Sequence, residues 1–290
     1  MRGSDTQKSL LRRALRDGSA GTTEEMGMRQ LDEVADGIWV TTSRRMATTS
    51  TVIVGGEEAL LVDPAWDADE LDALAATLGV RNLHVRAGFA THAHHDHLLW
   101  HPAFGDVPRW ASRATAALAV SERADLVAAL GDDAPPWLVE LMGRVDGIGD
   151  SFPSDSAPAG VQIEPVFYDG HAPGHTALWL PERRVLIAGD MLSDIELPLP
   201  FFPDDLPAYL DSLDRLAPLA SRAAVIVPGH GTVGADALVR LDADRRYLDD
   251  MINRGRSDDP RVANPGMTEE HAHLAELAAA YRDTDGRLAR

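Results

Sequence analysis

An α/β layered domain with a helical insertion between its halves is the fold this sequence predicts, on three observations. Strand-like and helix-like runs alternate up to about residue 98 and again after about residue 160. Between them, 98–150 loses that rhythm and shows Ala-rich helical patterning. The 290 residues are 44% hydrophobic and 25% charged, the balance of a globular protein large enough for a substantial core.

Residues 1–27 are polar and locally basic, and read as a flexible N-terminal tail with a short helix over 9–16. The sharper reading makes them an arm that docks Leu10, Leu11 and Leu15 on a partner subunit. A single domain is expected over 28–290. It starts with short β-rich runs at 37–42, 51–54 and 59–62, and Gly55-Gly56 between the last two reads as a hairpin. Leu71, Leu74, Ala75 and Leu78 recur at i, i+3, i+4 and i+7, so 67–78 is a helix that Gly79 can end. A strand over 85–90 runs directly into the histidine-rich stretch that follows.

The insertion, or lid, at 98–150 carries helical patterning at 111–130 and 137–145, divided by Ala134-Pro135-Pro136. Residues 147–160 are rich in Gly, Ser, Asp and Pro and read as a loop. Strands return at 161–168, 177–180 and 185–188, followed by a helix at 207–216 and a strand at 224–227. The remainder, 235–290, is C-terminal helix, strongest at 235–254 and 268–282.

Composition excludes several chemistries. There is no Cys, hence no disulfide, thiolate metal site or Cys nucleophile. The one lysine, Lys8, lies in the tail, which removes a Schiff-base or P-loop lysine from the body of the protein. A net charge of −19 repels phosphate backbones, so nucleic acid is not an expected partner. No apolar run approaches the roughly 20 residues that span a bilayer, so no membrane partner is expected. Asp17-Gly18-Ser19 stands where an export signal needs its apolar stretch, and the expected location is cytoplasmic.

The chemistry concentrates in Thr91-His92-Ala93-His94-His95-Asp96-His97. Five of the eleven histidines fall between residues 92 and 101. If the preceding strand stays extended, His92, His94 and Asp96 share a side, and a turn at Asp96 brings His97 round. Imidazoles and a carboxylate on one side suit a borderline divalent cation such as zinc. Three later segments end β-like runs with a candidate ligand beside glycine: Gly174-His175, Gly189-Asp190 and Gly229-His230-Gly231.

This ordered set resembles the metallo-β-lactamase superfamily of metallohydrolases over about 38–234, with the spacing of its hydroxyacylglutathione-hydrolase-like branch. The resemblance implies a four-layer αβ/βα sandwich with two Zn2+ per chain at one edge of its sheets. Iron or manganese are the alternative ions. By position, His92, His94 and His175 would hold one metal, Asp96, His97 and His230 the second, and Asp190 would bridge them. Asp63 matches the superfamily's early Asp, an acceptor that orients ligand histidines. The implied reaction is attack by a metal-bridged hydroxide on the carbonyl of a small ester, thioester or lactone, with Asp96 and Asp190 as the catalytic carboxylates.

Departures from the family pattern narrow the substrate. Secreted β-lactamases lack the bridging Asp that this chain keeps as Asp190. Quorum-signal lactonases typically carry Tyr three residues after it, where Ser193 stands. Hydroxyacylglutathione hydrolases bind glutathione with basic residues from a C-terminal helical region, and this region has no Lys. The family's usual Gly behind the metal motif is replaced by Leu98-Leu99-Trp100. A mononuclear-iron persulfide dioxygenase of the same superfamily is the alternative enzyme, since its ligands are the same residue types.

Trp100, Trp137, Phe201 and Phe202 are read either as walls of an apolar substrate pocket or as core. His171 is assigned to the pocket edge, and His95, pointing away from the metals, to the support of the ligands or to a structural role. His101 is placed on the surface or the lid, and His84, His271 and His273 on the surface. The partner expected is a small-molecule substrate, and the tail and C-terminal helices offer material for a homodimer.

Overall fold

The computed structural model describes residues 30–201 and 203–288. The tail at 1–27 and Phe202 lie outside the described residues.

The first half opens with β1 (Asp32–Ala35), β2 (Ile38–Thr42), β3 (Thr49–Gly55) and β4 (Glu58–Val62), joined antiparallel in that order. Strand β1 lay unseen in the sequence because its DEVA run is polar, with only Val and Ala to pack. Helix α1 (Ala68–Val80) crosses to β5 (His84–Phe89), which pairs parallel with β4. The carboxylate of Glu70 accepts the Asp67 N–H at 3.3 Å and closes the start of α1. Gly79 does not end the helix, which continues to Val80 with Arg81 as its cap.

The 98–150 segment holds the expected helical pieces, α2 (Arg113–Ser121), α3 (Arg123–Ala129) and α4 (Pro136–Leu141). It also holds β6 (Arg109–Ser112) and β7 (Asp146–Ile148), which extend the first sheet in parallel to seven strands. This segment is thus partly sheet. Two strands of four and three residues inside an Ala-rich stretch leave no alternation long enough to read.

The second sheet is built from β8 (Glu164–Phe167), β9 (Thr176–Leu180), β10 (Val185–Gly189) and β11 (Val225–Pro228), in the order β11-β10-β9-β8. Helices α5 (Leu206–Ala220), α6 (Ala237–Arg254) and α7 (Met267–Leu288) complete the chain.

Strand alternation sorts the core into three slabs, which define the four layers. Ile53, Leu60, Val62, Leu178, Leu180, Val185 and Ile187 meet between the two sheets. Val52, Ala59 and Leu61 face the other way, onto Leu71, Leu74 and Leu78 of α1. Trp179, Leu186 and Ile226 face outward onto α5, α6 and α7. The αβ/βα sandwich follows from these side-chain directions. Among the described residues, no helix is long and apolar enough to cross a membrane.

Candidate metal centre

The strand ends at one edge of the sandwich deliver the site. Strand β4 leads into Asp63, β5 into the histidine loop, β10 into Asp190, and β11, two residues past its end, into His230. The histidine loop does not stay extended. It bends, the His97 N–H donating to the His94 carbonyl at 3.2 Å, and this divides its side chains between two clusters. His92, His94, His171 and Asp190 form one, and Asp96, His97 and His230 the other.

Asp190 lies between them. Its Oδ2 is 3.4 Å from the Nε2 atoms of His92 and His171 and 3.2 Å from that of His230, while its Oδ1 is 3.2 Å from His97 Nε2. In the second cluster, Asp96 Oδ2 lies 3.2 Å from His230 Nε2 and 3.3 Å from His97 Nε2. Glycine makes this closeness possible at two positions. A Cβ on Gly229 would stand 1.9 Å from Asp190 Oδ1, and one on Gly189 (φ +55°) 2.6 Å from the His175 ring.

His171, not His175, completes the first cluster, and this corrects the expected ligand set. His171 Nε2 lies 3.1 Å from His94 Nδ1, and its Nδ1 donates to the Leu199 carbonyl at 2.8 Å. His175 is packed behind the site instead. Its ring stacks at 4.9 Å on Tyr168 and 4.8 Å on His92, and its Nε2 accepts the Asp190 N–H at 3.0 Å. The cause is the position of β9, which starts at Thr176 and so takes His175 into the sheet layer. Gly170-His171 in the preceding loop was the available signal, a second Gly-His pair four residues earlier.

A match over residues 44–230 to the family model described as the metallo-beta-lactamase superfamily decides the family. The chain belongs to the metallo-beta-lactamase superfamily. Solved structures show the same fold. A metallo-beta-lactamase family protein from Thermus thermophilus is 21% identical, with a TM-score of 0.61 over 88% of this chain and 95% of that one. A beta-lactamase domain protein from Burkholderia ambifaria is 20% identical, with a TM-score of 0.62 over 90% of each chain. A metallo beta lactamase from Erythrobacter litoralis is 20% identical, with a TM-score of 0.60 over 77% of this chain and 99% of that one.

In this superfamily member the ring orientations fit a divalent metal. His92 Nδ1 is 3.0 Å from the Thr91 hydroxyl, His97 Nδ1 2.9 Å from Asp63, and His230 Nδ1 3.1 Å from the Met46 carbonyl. With His171 held by Leu199, four imidazoles have Nδ1 engaged outward and Nε2 aimed inward. Three ring nitrogens then crowd one point, His92 Nε2 and His171 Nε2 at 2.8 and 3.1 Å from His94 Nδ1. Among the described residues, Asp190 Oδ1 is buried without a hydrogen-bond partner. Crowded lone pairs and an orphaned carboxylate oxygen are what a cation relieves. The Asp63 carboxylate also accepts the Thr91 N–H at 2.8 Å and the Thr91 hydroxyl at 2.6 Å.

The electrostatics divide along the same line. Burial drives the proton affinities of His92, His94 and His171 down, which leaves them neutral. Burial acts likewise on His97 and His230, but the carboxylates around them, Asp190 foremost, win and hold both well above the usual histidine range. Asp96 and Asp190 lie well below the carboxylate range, burial being outweighed by the neighbouring imidazoles.

A small cavity opens over both clusters, walled by Met46, His95, Glu196 and Phe201. Phe201 sits edge-on to His94 and His171 at 5.7 and 5.8 Å between centroids. Trp100 is core behind the first sheet, and Trp137 packs on His101 at 4.7 Å. His101, within the 98–150 segment, is buried, its Nε2 2.8 Å from Asp72. Ser193, where lactonases carry Tyr, turns its hydroxyl to the His230 carbonyl at 2.8 Å.

Proposed function

We propose that this chain is a dinuclear metal-dependent hydrolase acting on the carbonyl of a small, apolar ester, thioester or lactone. The observation that supports it is Asp190, whose two carboxylate oxygens reach into both ligand clusters at once. His92, His94, His171 and Asp190 would hold one ion, and Asp96, His97, His230 and the shared Asp190 the other. Zinc fits these nitrogen and oxygen donors, with iron or manganese as the alternatives, and a pair of such ions supplies Lewis acidity toward a carbonyl oxygen and lowers the pKa of water toward neutrality.

The chain's own residues supply the rest. Asp96, 3.2 Å from His230 Nε2, is placed to take up the proton released by water and return it to the leaving group. Asp63 fixes the His97 ring from behind through its Nδ1. Met46 and Phe201 wall the cavity with apolar surface that takes an acyl group and excludes water around the reacting carbonyl.

Elemental analysis of protein purified without chelator or added metal tests this reading. Close to two zinc per chain, with hydrolysis of a panel of lactones, thioesters and esters, is the expected result. Close to one iron and no second metal overturns the dinuclear reading, and oxygen uptake with a persulfide then becomes the assay.

A further inference from the structure

Of the five imidazoles in the two clusters, His94 stands apart. Its Nδ1 faces inward, 2.8 Å from His92 Nε2 and 3.1 Å from His171 Nε2. The other four turn Nδ1 outward, onto the Thr91 hydroxyl, the Asp63 carboxylate, and the Leu199 and Met46 carbonyls. Among the described residues, the remaining nitrogen of His94, Nε2, has no such partner. A ligand imidazole without that second hydrogen bond has its ring plane set by packing alone.

Three rings pack edge-on against His94: His92 at 4.4 Å between centroids, His171 at 4.8 Å and Phe201 at 5.7 Å. His92 and His171 belong to the same cluster and crowd its inward nitrogen. Phe201 is the ring that meets it from outside the ligand set.

Phe201 is itself held. Its N–H donates to the His171 carbonyl at 3.0 Å, while His171 Nδ1 donates to the Leu199 carbonyl at 2.8 Å. These two bonds tie 199–201 to His171 through both its backbone and its ring. Phe201 also belongs to the core formed with Leu197, Leu199 and Tyr209. A buried ring backed by a packed core cannot drift when the imidazole beside it moves.

We propose that Phe201 is a positioning residue for the first ion, holding the His94 ring with Nδ1 aimed at the site as hydrogen bonds hold the other four imidazoles. The inference rests on the ligand assignment above and not on the reaction. Without the Phe201 ring, His94 is free to rotate and its Nδ1 spends part of its time off the ion. The loss falls on one ion, because the rings that Phe201 touches, His94 and His171, both belong to the first cluster.

Zinc dissociation constants test it, measured by titrating the metal-stripped full chain against a chromophoric chelator. The binding step lost in His171→Ala marks the first ion. Phe201→Ala is expected to raise the Kd of that ion about tenfold or more, and that of the second ion less than about twofold. Phe201→Leu keeps apolar bulk against the ring, and a smaller rise of about threefold is expected. Leu216→Ala opens the same core from α5, and is expected to lower the unfolding midpoint while leaving both Kd values in place.

A first-ion Kd unchanged in Phe201→Ala, or raised equally in Leu216→Ala, overturns the inference. Where Phe201→Ala fails to fold, Phe201→Leu decides by the same comparison. Hydrolysis plays no part in the readout. A chain that binds zinc in this pattern but cleaves no lactone, thioester or ester sinks the hydrolase reading and keeps the inference. Wild type that takes up no zinc overturns the ligand assignment on which both stand.

Discussion

At the sheet edge, Asp96 and Asp190 sit among five imidazoles and stay ionised well below the carboxylate range. On the far side of the 193–197 loop, Asp244 of α6 meets one guanidinium, Arg261, and burial pushes its carboxyl up to about 6. Both carboxylate groups are buried, so the difference lies in the supply of positive charge. Arg261 is shared: it donates to two carbonyls, to Asp244 Oδ1 at 2.6 Å and to both oxygens of Asp259. Among the described residues, the edge cluster has no guanidinium; five imidazoles surround its two carboxylates, and two of them, His97 and His230, are held well above the usual histidine range. A clamp shares one cation among many acceptors; a metal site leaves many donors facing a place for a cation.

The hardest blow to this contrast is Asp190→Asn, since both clusters use that side chain. Metal content is expected to fall to a small fraction of wild type, and hydrolysis by on the order of 10³-fold or more. Asp244→Asn, by contrast, should leave metal content unchanged. Elemental analysis and a hydrolysis assay on both variants check this, and full metal retention in Asp190→Asn would remove the shared-ligand role.

A smaller effect separates His171 from His175. His171→Ala is expected to lose the ion of the first cluster while the metal-free protein keeps its unfolding midpoint within a few degrees. His175→Ala removes a buried ring stacked on Tyr168 and His92, and is expected to cost about 2–3 kcal/mol of stability. Metal content and thermal unfolding of the two variants are the measurements. The reverse pattern would return His175 to the ligand set.

That pair of histidines also marks how far the sequence could be read. His92, His94, Asp96 and His97 were legible because they fall within one short motif, which needs no knowledge of the rest of the fold. Asp190 and His230 were legible because glycine and a strand end sit beside them. His171 was not, because choosing between it and His175 requires the first residue of β9, and strand boundaries shift by a residue or two with their partners. Strands β6 and β7 were hidden for a related reason: they form by pairing with β5 and with each other, not by their own pattern. Glu196 and Arg261 carry no signal in the sequence because they are 65 residues apart, and only the fold makes one hold the other's backbone.

The most delicate test of the comparison is the pH dependence of Asp244. Its folded pKa of about 6 lies above its ordinary 3.8, so between those values the folded protein keeps a proton that the unfolded chain has released. Stability from this group is therefore present at low pH and is lost as pH rises through the window, by about 2–3 kcal/mol in all. Asp190 carries the opposite sign: its depressed pKa gives stability that is present above 3.8 and lost as pH falls below it. The stability of wild type relative to Asp244→Asn, from chemical unfolding at a series of pH values, should fall between about pH 4 and pH 6 and level off above. A difference that stays flat across that range would mean Asp244 is ionised throughout. Arg261 would then be supplying this carboxylate as fully as the imidazoles supply Asp190, and the two buried centres would differ in ligand chemistry but not in charge balance.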